Sequence, residues 1–159
     1  MTISSEIRES DVLLPELEKN TYQIIITEHP IESPDILSRE FCTENLFLTV
    51  PPAHPLANSR DGIYLEDLAG ETMLLFHEIG VWRNLTETKM TQTKFIIQDR
   101  NEAFDALLQA SALPAFVSNL TLEYTSQPKN RLAIPILDQE AHITFYCAVH
   151  KSNKNLLPD

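Results

Sequence analysis

Histidine, cysteine and carboxylate side chains are where chemistry would start, and their spacing here argues against a preformed catalytic or metal centre. The five histidines (His29, His54, His77, His142 and His150) stand far apart, with no HExxH pattern and no i,i+4 pair. Two imidazoles therefore cannot share one helix face, as a helical zinc site requires. The chain also lacks a GxSxG elbow, a GxxxxGK[ST] loop and a GxGxxG turn, so neither an exposed nucleophilic serine nor a nucleotide fingerprint is present. With three glycines in total, a loop closing its amides around a phosphate is not expected. The carboxylates of "LEDLAGE" fall on a short amphipathic helix and read as solvated surface. No catalytic residue, metal or cofactor is expected; an enzyme would need a site assembled only in three dimensions.

Composition sets the class. At 159 residues, 43% hydrophobic and 22% charged, the chain suits one compact domain or two small lobes with a real core. A net charge of -11 leaves no basic footprint for a phosphate backbone or an anionic membrane surface. Cys42 and Cys147 lie far apart without CxxC spacing, which favours two reduced thiols over a disulfide. The stretch "MTISSEIRES" has no apolar signal region, and no run approaches the ~18 apolar residues of a membrane span. The expected location is the cytoplasm.

Alternation of short elements predicts an α/β chain. "TISSEIRE" reads as a strand. Ser10 then reads as an N-cap before the helix "DVLLPELEKN", with Val12, Leu13 and Leu17 on one face, Pro15 early in it and Asn20 as its stop. "YQIIIT" has the continuous apolar character of a parallel strand, completing a βαβ unit. "ILSREFCTE" and then the strand "NLFLTV" follow. "YLEDLAG" is a short helix ended by Gly70, "TMLLF" a buried strand, "VWRNLTETKM" weakly helical and "KFIIQ" a strand. "NEAFDALLQAS" predicts a helix with Ala103, Leu107 and Ala110 on one side, and "PAFVSN", "LAIPIL" and "ITFYCAVH" predict strands. In "LFLTVPPAHPLA" a good strand runs into Pro51 and Pro52. Two readings stand: a stiff crossing into a second lobe, or an ordinary strand end with a rigid loop.

The ordered set "ENLFLTVPPAHPLANSRDGIYLEDLAGETMLL", Glu44 to Leu75, resembles the middle of the effector-binding domain of LysR-type transcriptional regulators. The resemblance rests on an acidic residue before an apolar strand, "HPLA", a hydrophobic-x-L-x-D-L helix and a new apolar strand, in that order. Upstream "SSEIRESDVLLPELEKNTYQIIIT" and downstream "IIQDRNEAFDALLQASALPAFVSN" resemble the flanking segments, although Gln23 replaces the usual aspartate and the glycine-rich stretch appears as "QASALPAFVSN". The resemblance implies a periplasmic-binding-protein-like fold of type II, two Rossmann-like α/β lobes joined by two crossover strands. Lobe one is expected at residues 1–47 plus 146–159 and lobe two at 48–145. A small, anionic effector is expected in the cleft between them. The resemblance also implies a homodimer or higher oligomer, with DNA contacted only through a helix-turn-helix domain that this stretch does not contain. It starts after the family's first strand and helix of lobe one, so a fragment with an incomplete pocket is expected.

Within that fold ligands lie outside the carboxyl ends of the strands. Thr27 and Glu28 end "YQIIIT"; Phe76 and His77 end "TMLLF"; Asp99, Arg100 and Asn101 precede a helix whose first amides suit a carboxylate; Phe116, Val117 and Ser118 close "PAFVSN". Each has a plainer reading. Asp99 or Asn101 can cap the helix with Glu102 completing the box, His77 can be a solvated loop residue, Phe116 core, and Ser118 the start of a turn. Arg100 is the sharpest candidate, as a cation beside a helix start, with an ordinary surface arginine as its equal alternative. Two functions follow: an effector sensor working by population shift, or a dimerisation and interaction module with no functional pocket.

Overall fold

The computed structural model describes residues 6–124 and 130–158. The chain divides into two units, Met1–Thr43 with Ile143–Asp159, and Glu44–His142. These boundaries fall four residues before the expected 47/48 (47 − 43) and three before the expected 145/146 (145 − 142). β2 (Ile36–Val50) runs unbroken through the first boundary, with no turn or proline to mark it, while β7 (His142–His150) begins at the second, directly after a 3-10 turn at Gln139–Ala141. The two apolar stretches on either side of Glu44, expected as separate pieces, are the one strand β2 of 15 residues.

The first unit holds helix α1 (Ser10–Glu18) and strand β1 (Ile25–Thr27) beside β7 and the first part of β2. Leu17, Ile25, Ile36 and Ala148 form a buried cluster, with Leu13, Leu14, Tyr22 and Ile31 packed on it. Val12 is 43% exposed and stands off the expected face. Glu9, not Ser10, precedes the helix, and its carbonyl accepts from the Val12 amide at 3.0 Å. Pro15 lies inside the helix rather than in its first turn. Asn20, at φ 62°, adopts the left-handed conformation that stops the helix. β1 pairs antiparallel with β7 (Ile26 opposite Cys147), which corrects the expectation of a parallel strand. Ile25 is buried while Ile26 is 42% exposed, so this is a strand with one covered face. Of the expected first strand, residues 6–9 are not extended into a ladder; its earlier residues lie outside the described ones.

In the second unit the later part of β2 runs antiparallel to β5 (Ala115–Ser118) on one side and β6 (Leu132–Pro135) on the other. β3 (Thr72–Phe76) then pairs parallel with both β5 and β4 (Lys94–Gln98). Helix α2 (Arg83–Lys89) joins β3 to β4, α3 (Asn101–Ala110) joins β4 to β5, and α4 (Asn119–Tyr124) follows β5. The sequence pattern did not show α4. Leu74, Leu108 and Ala115 form a buried cluster with Phe104 and Leu113 against it. The core face of α3 is therefore Phe104 and Leu108, one turn apart, while Leu107 is 36% exposed.

Pro51 and Pro52 lie within this unit, so the tandem prolines end β2 rather than mark the crossing. The Pro51 carbonyl accepts from the His54 amide at 3.0 Å, and His54 Nδ1 accepts from the Leu56 amide at 3.2 Å. That imidazole caps a 3-10 turn at Pro55–Asn58. The prolines withhold donors from the ladder and His54 supplies an acceptor to the turn. "LEDL" forms a second 3-10 turn, Leu65–Leu68, and Gly70 follows at φ 85°.

Candidate functional site

Three parallel strands of the second unit end side by side. β3 ends at Phe76, β4 at Gln98 and β5 at Ser118, and the His77 amide donates to the Gln98 carbonyl at 2.8 Å. This register sets Phe76 and His77 beside the turn 99–100 that opens α3. The Phe76 ring meets Phe104 of α3 edge-on, with centroids 5.7 Å apart at 67°, a favoured aromatic geometry. His77 is exposed, and its carbonyl accepts from Arg83 Nη2 at 3.2 Å.

The start of α3 carries no side-chain cap. Arg100 is the N-cap residue in extended conformation, so neither Asp99 nor Asn101 caps the helix and the expected box with Glu102 is absent. Arg100 and Asn101 are both exposed. The first amides of a helix have no intrahelical acceptor; here the residue that precedes them is a cation, Arg100, at the positive end of the helix dipole.

Phe116 and Val117 are half-buried within β5, opposite Leu48 and Phe47 of β2, so their backbone belongs to the ladder. Ser118 is buried, and its Oγ accepts from the Thr121 amide at 3.3 Å. It stands at the start of the helix α4, where the plainer reading expected a turn. In the first unit, Thr27 Oγ1 donates to the His29 carbonyl at 2.8 Å, and Glu28 is exposed.

Two features escaped the sequence reading. The first is a groove of about 360 Å3 between α2 and strands β3 and β4, whose lining includes Leu75, Phe95, Ile97, Met90, Arg83 and His77. The second is Arg131, half-buried, with its guanidinium pKa pushed down by desolvation. A single arginine before a strand carries no sequence signal of its own. Among the described residues no group of three histidine, cysteine or carboxylate side chains could hold a metal, and no helix is long and apolar enough to cross a membrane. Burial raises the pKa of Cys147, and neither cysteine forms a disulfide.

The arrangement can hold a small anion and an apolar body together: open amides and a cation at one strand end, aromatic rings at its neighbour.

Comparison with known proteins follows the same lines. The model of the LysR substrate binding domain matches residues 1–158. Among solved structures, the BenM effector-binding domain with its effector benzoate is 21% identical, with a TM-score of 0.65 over 91% of this chain and 68% of that one. The reduced OxyR regulatory domain from Pseudomonas aeruginosa is 17% identical, TM-score 0.65, over 90% and 71%. Full-length CbnR complexed with target DNA is 18% identical, TM-score 0.59, over 89% of this chain and 50% of that one. No curated protein matches. At these identities the likeness establishes the fold, that of the type II periplasmic-binding proteins. The chain spans about half the length of the full-length regulators it resembles.

Proposed function

This chain belongs to the LysR substrate-binding domain family, a family of transcriptional regulators, and from that premise we propose that it senses a small anionic effector for such a regulator. The observation that carries the reading is the convergence of the β3 and β4 ends on the uncapped start of α3, beside Arg100. A carboxylate there would accept from the first amides of α3 and from the guanidinium. Its apolar body would lie against Phe76 and the end of β5. The role is binding rather than catalysis: an effector with unequal affinity for two conformations shifts their populations. DNA would be reached through a helix-turn-helix domain, in the cytoplasm, without a cofactor.

A panel of small carboxylates beginning with benzoate, titrated calorimetrically, tests this. Saturable binding is expected, weakened about tenfold in Arg100→Ala, as the loss of one charge-assisted hydrogen bond requires. No saturable binding by any member of the panel, or full affinity in Arg100→Ala, would overturn it.

Self-association is part of the proposal, and a specific feature favours it. β4 ends the sheet order, and its Ile96 and Ile97 are 41% and 56% exposed. An apolar edge strand with open backbone groups is a template for a second chain. Light scattering should give at least twice the monomer mass of 18.1 kDa; a strict monomer at high protein concentration would count against it.

A further inference from the structure

Arg131 satisfies all five donors of its guanidinium within the second unit. Nε donates to Thr49 Oγ1 at 3.2 Å, and Nη1 to the carbonyls of Leu108 and Ser111 at 3.0 and 3.2 Å. Nη2 donates to the Thr49 carbonyl at 2.9 Å and to that of Leu113. None of these acceptors is a carboxylate. The charge instead faces the carbonyl end of α3, where a cation complements the dipole. Leu108 and Ser111 belong to the last turn of α3 and its cap, Leu113 to the turn before β5, and Thr49 to the end of β2. One rigid plane therefore ties the terminus of a helix to a central strand by four residues. Lysine, with three donors on a flexible stem, cannot reproduce this.

We infer that Arg131 is a positioning residue for the candidate site: it sets where α3 lies, and so where the first amides of α3 stand. The inference rests on reading that end of α3 as the effector site. A helix of ten residues is about 15 Å long and moves as a rod. Slack at Leu108 and Ser111 is therefore passed to Asn101, through Phe104 and its contact with Phe76.

The test uses the whole chain without ligand, following backbone amides by NMR in Arg131→Lys, which keeps the charge and loses the fork. The amides of Asn101, Glu102 and Ala103 should shift, and exchange at Leu108 and Ser111 should quicken at least tenfold, while Met73 and Leu75 of β3 stay in place. A variant that melts earlier yet leaves Asn101–Ala103 unmoved has lost mere stability, and the inference fails. Should Arg131→Lys not fold, Thr49→Val removes a single acceptor and should shift the same amides to a smaller extent; no shift there is equally fatal. A wild-type chain that binds no carboxylate, with the shifts in the variant intact, overturns the effector reading alone.

Discussion

Gly62 shows how one residue can be irreplaceable for two separable reasons. Its φ of 125° is a backbone state that side chains rarely adopt, and a Cβ there would lie 2.6 Å from Leu137 Cδ2. Gly62→Ala should lower unfolding free energy by about 1–3 kcal/mol, measured by urea denaturation. Adding Leu137→Ala should recover only the contact, because the backbone strain persists. At His54 the imidazole is an acceptor at the foot of a turn; His54→Ala should cost about 0.5–2 kcal/mol, the usual loss on removing a cap. Both effects are local to turns flanking the β2 and β6 strand ends. Neither should alter affinity for a bound carboxylate, a contrast with Arg100→Ala that the same calorimetry would read.

Elements differ in what holds them. α3 is fixed on one side by Phe104 and Leu108 against Leu74 and Ala115, and at its end by Arg131. Leu108→Ala should cost about 2–4 kcal/mol by cavity formation, with loss of exchange protection concentrated in α3 and its neighbouring strands. α2 ends at Lys89, whose Nζ lies 2.8 Å from Glu140 Oε1 with both side chains open to water. The hydrogen bond from Lys89 lowers the pKa of the Glu140 carboxyl. The pair is therefore intact at neutral pH and is lost as pH falls through that lowered value. Exposed pairs contribute little, so Glu140→Gln should leave the thermal midpoint at pH 7 unchanged.

At the scale of the molecule, two buried clusters among the described residues each lie within one unit: Leu17, Ile25, Ile36 and Ala148 in the first, Leu74, Leu108 and Ala115 in the second. Leu17→Ala should therefore raise amide exchange in α1 and β1 well before it does so in β3, β4 or α3; a uniform rise would contradict independent cores. Sequence patterning by itself determined the α/β class, nearly every strand, the exclusion of a classical catalytic motif and, through the ordered set around "HPLA", the family. These properties are written in nearest-neighbour chemistry: apolar runs, caps and prolines act over a few residues. Strand direction, unit boundaries and the surroundings of the candidate site were decided by tertiary structure. "YQIIIT" looks alike whether parallel or antiparallel, and only the ladder with β7 makes it antiparallel. β2 crosses from one unit to the other in mid-strand, where no local signal exists, and its prolines merely end it. Asp99 and Asn101 read as caps, yet the N-cap position falls on Arg100, whose guanidinium has no acceptor to offer the first amides. Arg131 became a clamp because its five acceptors are gathered from residues 18 to 82 positions away, a convergence that only a folded chain can hold.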